Sequence, residues 1–325
     1  LKYGLTVQNL EAVKILTIDG QELLFSRQDE GMGLLALMTG SEGLLGVISE
    51  ITVKLTKKPQ VAKLVMAGFD SVRDCANTVA EIIKIGVIPA GLEMMDQFAI
   101  EASEAFAQAG YPLGAKALLL CELDGSEDLV KEDLNKVINI LSKASSVRVS
   151  ENEEERLLFW KGRKSAFPAV GRLSPDYYCM DGTIPKRFLA DVLEKISSLS
   201  EQYDLRVANV FHAGDGNLHP LILYDAAQPG ELEKAEDFGN DILKLCVDMG
   251  GSITGEHGVG IEKLDAMCHQ YNSSELEIFH QIKAVFDPHS LLNPGKAVPT
   301  LHRCAELGNM HVHNGNLPHP ELERF

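Results

Sequence analysis

Two histidines seven residues apart flank a short glycine-rich turn in the run Phe211-His212-Ala213-Gly214-Asp215-Gly216-Asn217-Leu218-His219. A Gly-Asp-Gly-Asn turn can fold the chain back on itself, because glycine and asparagine accept the backbone angles that a tight turn needs. The two imidazoles would then converge on one point. Neutral imidazole is the commonest metal ligand among protein side chains. The spacing therefore favours a metal site that includes His212 and His219.

A carboxylate and an imidazole lie between glycines further along, in Thr254-Gly255-Glu256-His257-Gly258-Val259-Gly260. With Glu256 as a third ligand, His212 and His219 would hold a divalent ion that keeps one position open for a substrate. Imidazole with carboxylate suits zinc, iron or manganese. The alternative is that these side chains are hydrogen-bonded loop residues that bind no metal.

Trp160 and Arg163 are three residues apart, so they share one face of a predicted helix. An arginine beside an aromatic ring can clamp a carboxylate through two parallel hydrogen bonds. We therefore expect Arg163 and Trp160 to contact an anionic substrate, and Tyr178 is a further candidate for the pocket wall. The alternatives are an exposed Arg163 packed on Trp160, and a tyrosine that belongs to the core.

The composition limits the classes of function. The 325 residues are 45% hydrophobic and 24% charged, which is enough for two domains with ordinary cores. A net charge of −17 repels nucleic acids and anionic lipid surfaces. An anionic substrate would need a local cationic pocket set against that charge. The six cysteines form no Cys-x-x-Cys pair, and we expect a reducing, cytoplasmic environment.

The periodicity changes along the chain. Residues 1–58 are predicted to be rich in strands, with a hairpin whose type I′ turn is Asp19-Gly20. Residues 59–300 alternate between strands and helices, with one helix predicted over 93–109, and 301–325 form a tail. We expect an α+β fold in which a largely antiparallel sheet is covered by helices.

The His-Ala-Gly-Asp-Gly-Asn-Leu-His run, Gly-Glu-His-Gly, Trp-x-x-Arg and Leu292-Asn293-Pro294-Gly295-Lys296 together resemble the FAD-linked oxidases. This family includes D-lactate and D-2-hydroxyglutarate dehydrogenases and the FAD-binding subunits of bacterial glycolate oxidases. The resemblance covers the whole chain, and residues 175–183 and 300–325 look most like the glycolate oxidase branch.

The resemblance implies a role for each part of the chain. Residues 1–58 would be the end of a vanillyl-alcohol-oxidase-type FAD-binding domain whose N-terminal part is missing here, and 59–300 the substrate and metal domain. His257 would be the catalytic base, Arg163 would hold the substrate carboxylate, and His212, His219 and Glu256 would bind the metal. The residues implied to contact FAD are Gly40, Ser41, Gly43, Gly46, Val47, Ile48 and Asn293.

The implied reaction is flavin-dependent oxidation of a small 2-hydroxy acid, glycolate to glyoxylate or D-lactate to its keto acid. Electrons would pass to a second FAD-binding-like subunit and an iron–sulfur subunit, which would also be the protein's only link to the inner face of the cell membrane. Cys179 stands where some relatives have a substrate-binding lysine, which suits a smaller substrate. Two alternatives are a metal-dependent hydrolase that uses the same His/His/Glu site, and a non-catalytic fragment.

Overall fold

A computed structural model describes residues 1–29 and 33–300. The predicted tail, 301–325, lies outside the described residues. The chain forms two compact units. Of the described residues, the larger unit contains 1–3 and 57–255, and the smaller contains 4–29, 33–56 and 256–300. The division into 1–58, 59–300 and 301–325 stays a prediction, and these units group residues 256–300 with 4–56.

The described residues form ten strands and eleven α-helices, with 3₁₀ helices at Leu141–Lys143 and Lys186–Phe188. The strands are β1 (Leu10–Leu16), β2 (Glu22–Ser26), β3 (Val47–Val53), β4 (Val61–Phe69), β5 (Gly91–Asp96), β6 (Ala117–Gly125), β7 (Ser146–Val149), β8 (Asp176–Cys179), β9 (Val207–Phe211) and β10 (Pro220–Tyr224). The helices are α1 (Thr6–Asn9), α2 (Leu34–Met38), α3 (Val72–Lys84), α4 (Gln97–Ala107), α5 (Glu127–Ile140), α6 (Glu153–Lys164), α7 (Ala166–Val170), α8 (Leu189–Tyr203), α9 (Glu231–Asp248), α10 (Leu264–Gln270) and α11 (Ser273–Phe286).

The larger unit is built on one seven-stranded sheet in the order β7-β4-β6-β5-β9-β10-β8, and every neighbouring pair is antiparallel. Side chains alternate along each strand, so the sheet has two buried faces. Helices α3, α5, α8 and α9 pack on one face, and α4, α6 and α7 pack on the other. The predicted α+β fold with an antiparallel sheet covered by helices is confirmed.

Strand β5 corrects the helix predicted over 93–109. The structure has a strand at Gly91–Asp96 and only then helix α4, whose N-terminus is capped by Asp96: its Oδ1 accepts from the Ala99 amide at 2.9 Å. The run Leu92-Glu93-Met94-Met95 is buried between β6 and β9. A short apolar run of this kind fits a buried strand and a helix equally well, so periodicity could not separate the two.

The smaller unit contains the three-stranded sheet β2-β1-β3. The predicted hairpin between β1 and β2 is present, but the type I′ turn is wrong. Only Gly20 has a positive φ (77°), and its amide donates to the Thr17 carbonyl at 3.0 Å. Ile282 and Phe286 of α11 pack against the core of this sheet, which explains why residues 256–300 group with it. That core contains Leu10, Val13, Ile15, Leu35, Met38 and Leu45.

Candidate active site

The Gly-Asp-Gly-Asn turn joins β9 to β10, as its residue types predict. The His212 amide donates to the Asn217 carbonyl at 3.1 Å, and the Asn217 amide donates back at 3.3 Å. Gly216 has φ 76°, and a Cβ there would lie 2.2 Å from the Ile184 carbonyl oxygen. Since such a contact is prohibitive, this position requires glycine. The turn thus brings His212 and His219 to the same end of neighbouring strands.

The two imidazoles converge, as the turn predicts. Their rings lie edge to face, with centroids 5.2 Å apart and planes at 88°. A ring nitrogen of His212 and one of His219 lie within 4.8 Å of each other, and a carboxylate oxygen of Asp181 is equally close to His219. His219 is 2% exposed and its ring packs edge-on against Phe167 at 6.3 Å. Nitrogen and carboxylate donors this close suit a divalent transition metal, although metal binding itself stays a prediction.

A buried carboxylate that the sequence did not single out joins this group. Glu93 of β5 is 5% exposed, and its two oxygens contact different partners. Oε1 lies 2.8 Å from His212 Nδ1, and Oε2 accepts from Arg163 Nε at 2.9 Å. Glu93 faces the same side of the sheet as Met95, toward α6, and therefore reaches both residues.

Arg163 lies in the last turn of α6 and is 7% exposed. Apart from the Nε bond to Glu93, its guanidinium makes no hydrogen bond to any residue within 1–29 or 33–300. The helix packs closely against Tyr111, since a Cβ at Gly162 would lie 2.5 Å from the Tyr111 ring. Burial raises the pKa of Tyr111, whose hydroxyl donates to the Phe159 carbonyl. These contacts fix the helix end that carries Arg163.

Trp160 lies one turn before Arg163 on the same helix, as predicted. Its indole Nε1 donates to Glu122 of β6, and its ring packs on Gly91, where a Cβ would lie 3.0 Å from the ring. The indole Nε1–H of Trp160 is therefore already hydrogen-bonded to Glu122, and only the face of the ring could contact a substrate. Arg156 Nη1 donates to the same Glu122 oxygen at 2.5 Å.

The structure does not bring Tyr178 to this group. Tyr178 pairs with Ile222 across β8 and β10, and it packs on the opposite face of the sheet. Tyr177, one residue earlier, lies on the α7 side and contacts the Phe167 ring at 6.2 Å. Alternation along a strand explains the difference, because a one-residue shift changes the face.

The Gly-Glu-His-Gly segment begins at an anchored backbone. The Gly255 amide donates to Asp181, to its carbonyl oxygen at 2.7 Å and to Oδ2 at 3.0 Å, and Thr254 Oγ1 donates to Oδ1 at 3.2 Å. Asp181 is fully buried. Glu256 is bonded directly to Gly255 but belongs to the smaller unit, as does His257. Both side chains are about half exposed, and Glu256 Oε1 lies 3.9 Å from His257 Nε2.

The predicted flavin-contact residues lie together in the smaller unit. Asn293 Nδ2 donates to the Glu42 carbonyl, and Lys283 Nζ donates to the Leu44 carbonyl at 2.8 Å. The Glu42 carboxylate accepts from the amides of Val259 and Gly260, both at 2.8 Å. Gly40 and Gly43 have positive φ, and Val47 and Ile48 begin the exposed strand β3. The segment 40–48 is thus fixed to Asn293 and to the loop after His257.

The sequence patterns alone give no role to Glu93, Asp181 or Glu42. Each is one of 47 Asp and Glu residues; Glu93 lies in none of the motifs, and Glu42 lies inside the predicted flavin segment 40–48. Their partners are distant in sequence, and only the folded chain brings them together.

Sequence comparison finds relatives over the whole chain. It is 61% identical to the glycolate oxidase subunit GlcD of Escherichia coli (strain K12) over 330 residues, covering 100% of this chain and 66% of that protein. It is 35% identical to the glycolate oxidase subunit GlcD of Bacillus subtilis (strain 168), covering 91% of this chain and 64% of that protein. A mitochondrial D-lactate dehydrogenase (cytochrome) of Arabidopsis thaliana is 30% identical, covering 94% and 54%. The chain therefore spans less than two thirds of the length of these relatives.

Solved structures share the fold at low identity. A 4-ethylphenol oxidase from Gulosibacter chungangensis has a TM-score of 0.69 at 14% identity, covering 90% of this chain and 66% of that one. A p-cresol methylhydroxylase with bound substrate has a TM-score of 0.70 at 14% identity, covering 91% and 66%. Residues 58–297 match the family described as FAD linked oxidases, C-terminal domain. With that match over most of its length, the chain belongs to the FAD-linked oxidases.

Proposed function

We propose that the protein oxidises a small 2-hydroxy acid, with glycolate converted to glyoxylate as the leading reaction and D-lactate as the second substrate. One observation carries the proposal. A buried arginine, Arg163, is fixed through Nε to Glu93, which also contacts His212 of the histidine pair. The identity to glycolate oxidase subunits and, further away, to a D-lactate dehydrogenase supports the same substrate class.

Each side chain has a distinct task in this proposal. Arg163 binds the substrate carboxylate through its terminal amino groups, which orients the Cα–H bond. His212, His219 and Glu256 hold a divalent metal, and His257 takes the hydroxyl proton. A metal bound there would supply Lewis acidity to the substrate hydroxyl, and bound FAD would supply the acceptor for the hydride that leaves Cα. Segment 40–48 and Asn293 hold the flavin.

The donor set fits the metal. A carboxylate on Nδ1 of His212 is the usual support of a metal-binding imidazole, because it fixes the ring orientation and raises its basicity. Zinc, iron and manganese all suit imidazole with carboxylate.

The reaction is tested with the full-length protein as purified, under anaerobic conditions. Addition of glycolate should bleach the yellow flavin absorbance and yield one glyoxylate per flavin reduced. Bleaching by D-lactate but not L-lactate would support the second substrate. A flavin that stays oxidised with all three acids would contradict the proposal. The hydrolase alternative predicts no bleaching, and membership of the FAD-linked oxidases argues against it.

We also propose that the protein works in an assembly. Two of its relatives are named as subunits, which supports partner proteins. The resemblance implies a second FAD-binding-like subunit and an iron–sulfur subunit as electron acceptors. Co-purification of the tagged protein from its native cells, followed by iron analysis, tests this; a tagged protein recovered alone and free of iron would contradict it. No helix in the described residues is long and apolar enough to cross a membrane.

A further inference from the structure

We infer that Glu93 is a positioning residue that sets two parts of the active site at once: the tautomer of His212 and the orientation of the Arg163 guanidinium. This inference rests on the proposed function. Glu93 would touch neither substrate nor flavin, and would act only through these two side chains.

The first argument is how the carboxylate divides its contacts. An isolated buried Arg–Glu pair gains most from two parallel hydrogen bonds between guanidinium and carboxylate. Glu93 instead gives only Oε2 to Arg163, at 2.9 Å, and gives Oε1 to His212, at 2.8 Å. An ion pair that only stabilised the fold would gain from a second hydrogen bond between the Arg163 guanidinium and the Glu93 carboxylate. The split geometry is what a residue needs in order to hold both partners.

The second argument concerns the imidazole. An ionised carboxylate only accepts hydrogen bonds, so its contact with Nδ1 requires the proton on that nitrogen. In the neutral ring the lone pair then lies on Nε2, the atom that can coordinate a metal. Glu93 thereby selects the tautomer that presents Nε2 to the centre shared with His219.

The third argument concerns the guanidinium. Arg163 is 7% exposed, and within the described part of the chain the only hydrogen bond of its guanidinium is from Nε to Glu93. Nη1 and Nη2, which make the parallel pair with a carboxylate, are therefore left for a ligand. A contact through Nε restricts rotation of the guanidinium without using Nη1 or Nη2. These two donors are therefore oriented before the substrate binds.

Glu93→Gln tests this in the full-length protein. The amide keeps the shape but offers one acceptor and one donor, so it cannot accept from both Arg163 and His212. If its NH₂ faces His212, the imidazole must move its proton to Nε2. We expect zinc affinity to fall about 10- to 100-fold, the range for loss of a carboxylate behind a metal-binding histidine. Titration of the metal-free protein with Zn²⁺ against a chromophoric chelator measures this directly.

Asp96→Asn is the matched control. Asp96 lies on the same strand, is partly buried, and accepts from the backbone and side-chain nitrogens of Asn209 on β9 at 2.8 and 2.9 Å. Asp96→Asn therefore makes the same carboxylate-to-amide change on the same strand. We expect it to lower the melting temperature while leaving zinc affinity within about twofold, since it touches neither His212 nor Arg163. Equal weakening in both variants, or none in Glu93→Gln, overturns the inference.

A second measurement needs no variant at Glu93. In the metal-free wild-type protein, ¹⁵N spectra of labelled histidine should show His212 protonated on Nδ1, with the signal assigned by its loss in His212→Gln. Protonation on Nε2 overturns the inference. Anaerobic reduction by glycolate tests the proposed function separately. A protein that is reduced by glycolate but shows the wrong tautomer would reject only the role of Glu93.

Discussion

His212 and His219 lie edge to face with ring centroids 5.2 Å apart, although six residues of turn separate them in the chain. The backbone pairing of His212 with Asn217 creates this proximity, and the β9–β10 ladder extends it. The turn and the ladder fix the backbone at both positions, so the two side chains start from neighbouring points. If the site holds a metal as proposed, loss of one of the two histidines should lower metal affinity more than it lowers the stability of the fold.

His219→Ala should abolish turnover while leaving flavin bound. The substitution removes one imidazole from a site with few ligands, whereas the residues expected to hold FAD, such as Asn293, lie in the other compact unit. Metal content, bound flavin and turnover are measured on one preparation by metal analysis, flavin absorbance and steady-state glycolate oxidation. Retained turnover would remove the metal from the mechanism. Loss of flavin together with metal would mean that the damage is general.

Arg163→Ala should raise KM for glycolate steeply and lower kcat. A charge-assisted hydrogen bond contributes about 1.5–3 kcal/mol, so loss of the clamp corresponds to roughly 10- to 100-fold in KM. Arg163→Lys should recover little, because an ammonium cannot bond Glu93 and still present a planar fork to the substrate. Wild-type kinetics in either variant would mean that another cationic side chain binds the substrate carboxylate. Lys164 and Arg172 are the next candidates.

Glu42→Gln should weaken flavin retention. The carboxylate accepts from two backbone amides, those of Val259 and Gly260, and an amide side chain can accept with only one oxygen. One buried N–H would lose its partner at a cost of about 1–3 kcal/mol. The rate of FAD release on dilution measures the effect. Glu50→Gln is the control, because Glu50 makes only an exposed pair with Lys14 and should change nothing. Equal release rates for all three proteins would contradict the role of Glu42.

Cys246 should be inert in the folded protein. Burial raises the pKa of its thiol from 9.0 to about 12, so at pH 8 only about one molecule in ten thousand carries the thiolate. Peptide mapping after a short maleimide pulse should show labelling of the partly exposed Cys179 and none at Cys246. Native labelling of Cys246 at the rate of Cys179 would contradict this.

The same shift predicts a pH effect. The unfolded thiol ionises near pH 9 while the folded thiol keeps its proton to about pH 12. The unfolded state therefore binds fewer protons in that interval, and stability falls as pH rises from about 9 to about 12. Cys246→Ala should show a shallower loss of melting temperature above pH 9. If the melting temperatures of the two proteins fall equally with pH above 9, Cys246 does not contribute to the loss of stability.

The sequence predicts those site residues that lie close together in one segment, because their types and their spacing can be read together. His212 and His219 were found because one turn holds both, and Trp160 and Arg163 because helical spacing places them on one face. Asn293 and the 40–48 segment came from the family resemblance alone. The alternation of strands and helices predicted the class of fold, since period 2 and period 3.6 are local signals.

The other features of the fold and the site depend on contacts between segments that are distant in sequence. Glu93 was assigned to a helix, where it would not have faced His212; as part of β5 it pairs with β9 and reaches both His212 and Arg163. Tyr178 was assigned to the pocket without knowledge of its strand register, and one residue of register decides the face. The Asp19-Gly20 turn was assigned the commonest two-residue type, although the loop spans Thr17 to Gln21 and needs only one positive φ.

Single-turnover reduction of the enzyme flavin by glycolate, measured anaerobically before and after removal of bound metal, tests the role of the metal in the reaction. If His212 and His219 hold a metal that acts on the substrate, the metal-free protein should keep its flavin, reduction should slow by at least about a hundredfold, and Zn²⁺, Mn²⁺ or Fe²⁺ should restore it. Reduction at an unchanged rate, in protein shown to contain no divalent metal, would contradict the claim that His212 and His219 hold a metal that acts on the substrate.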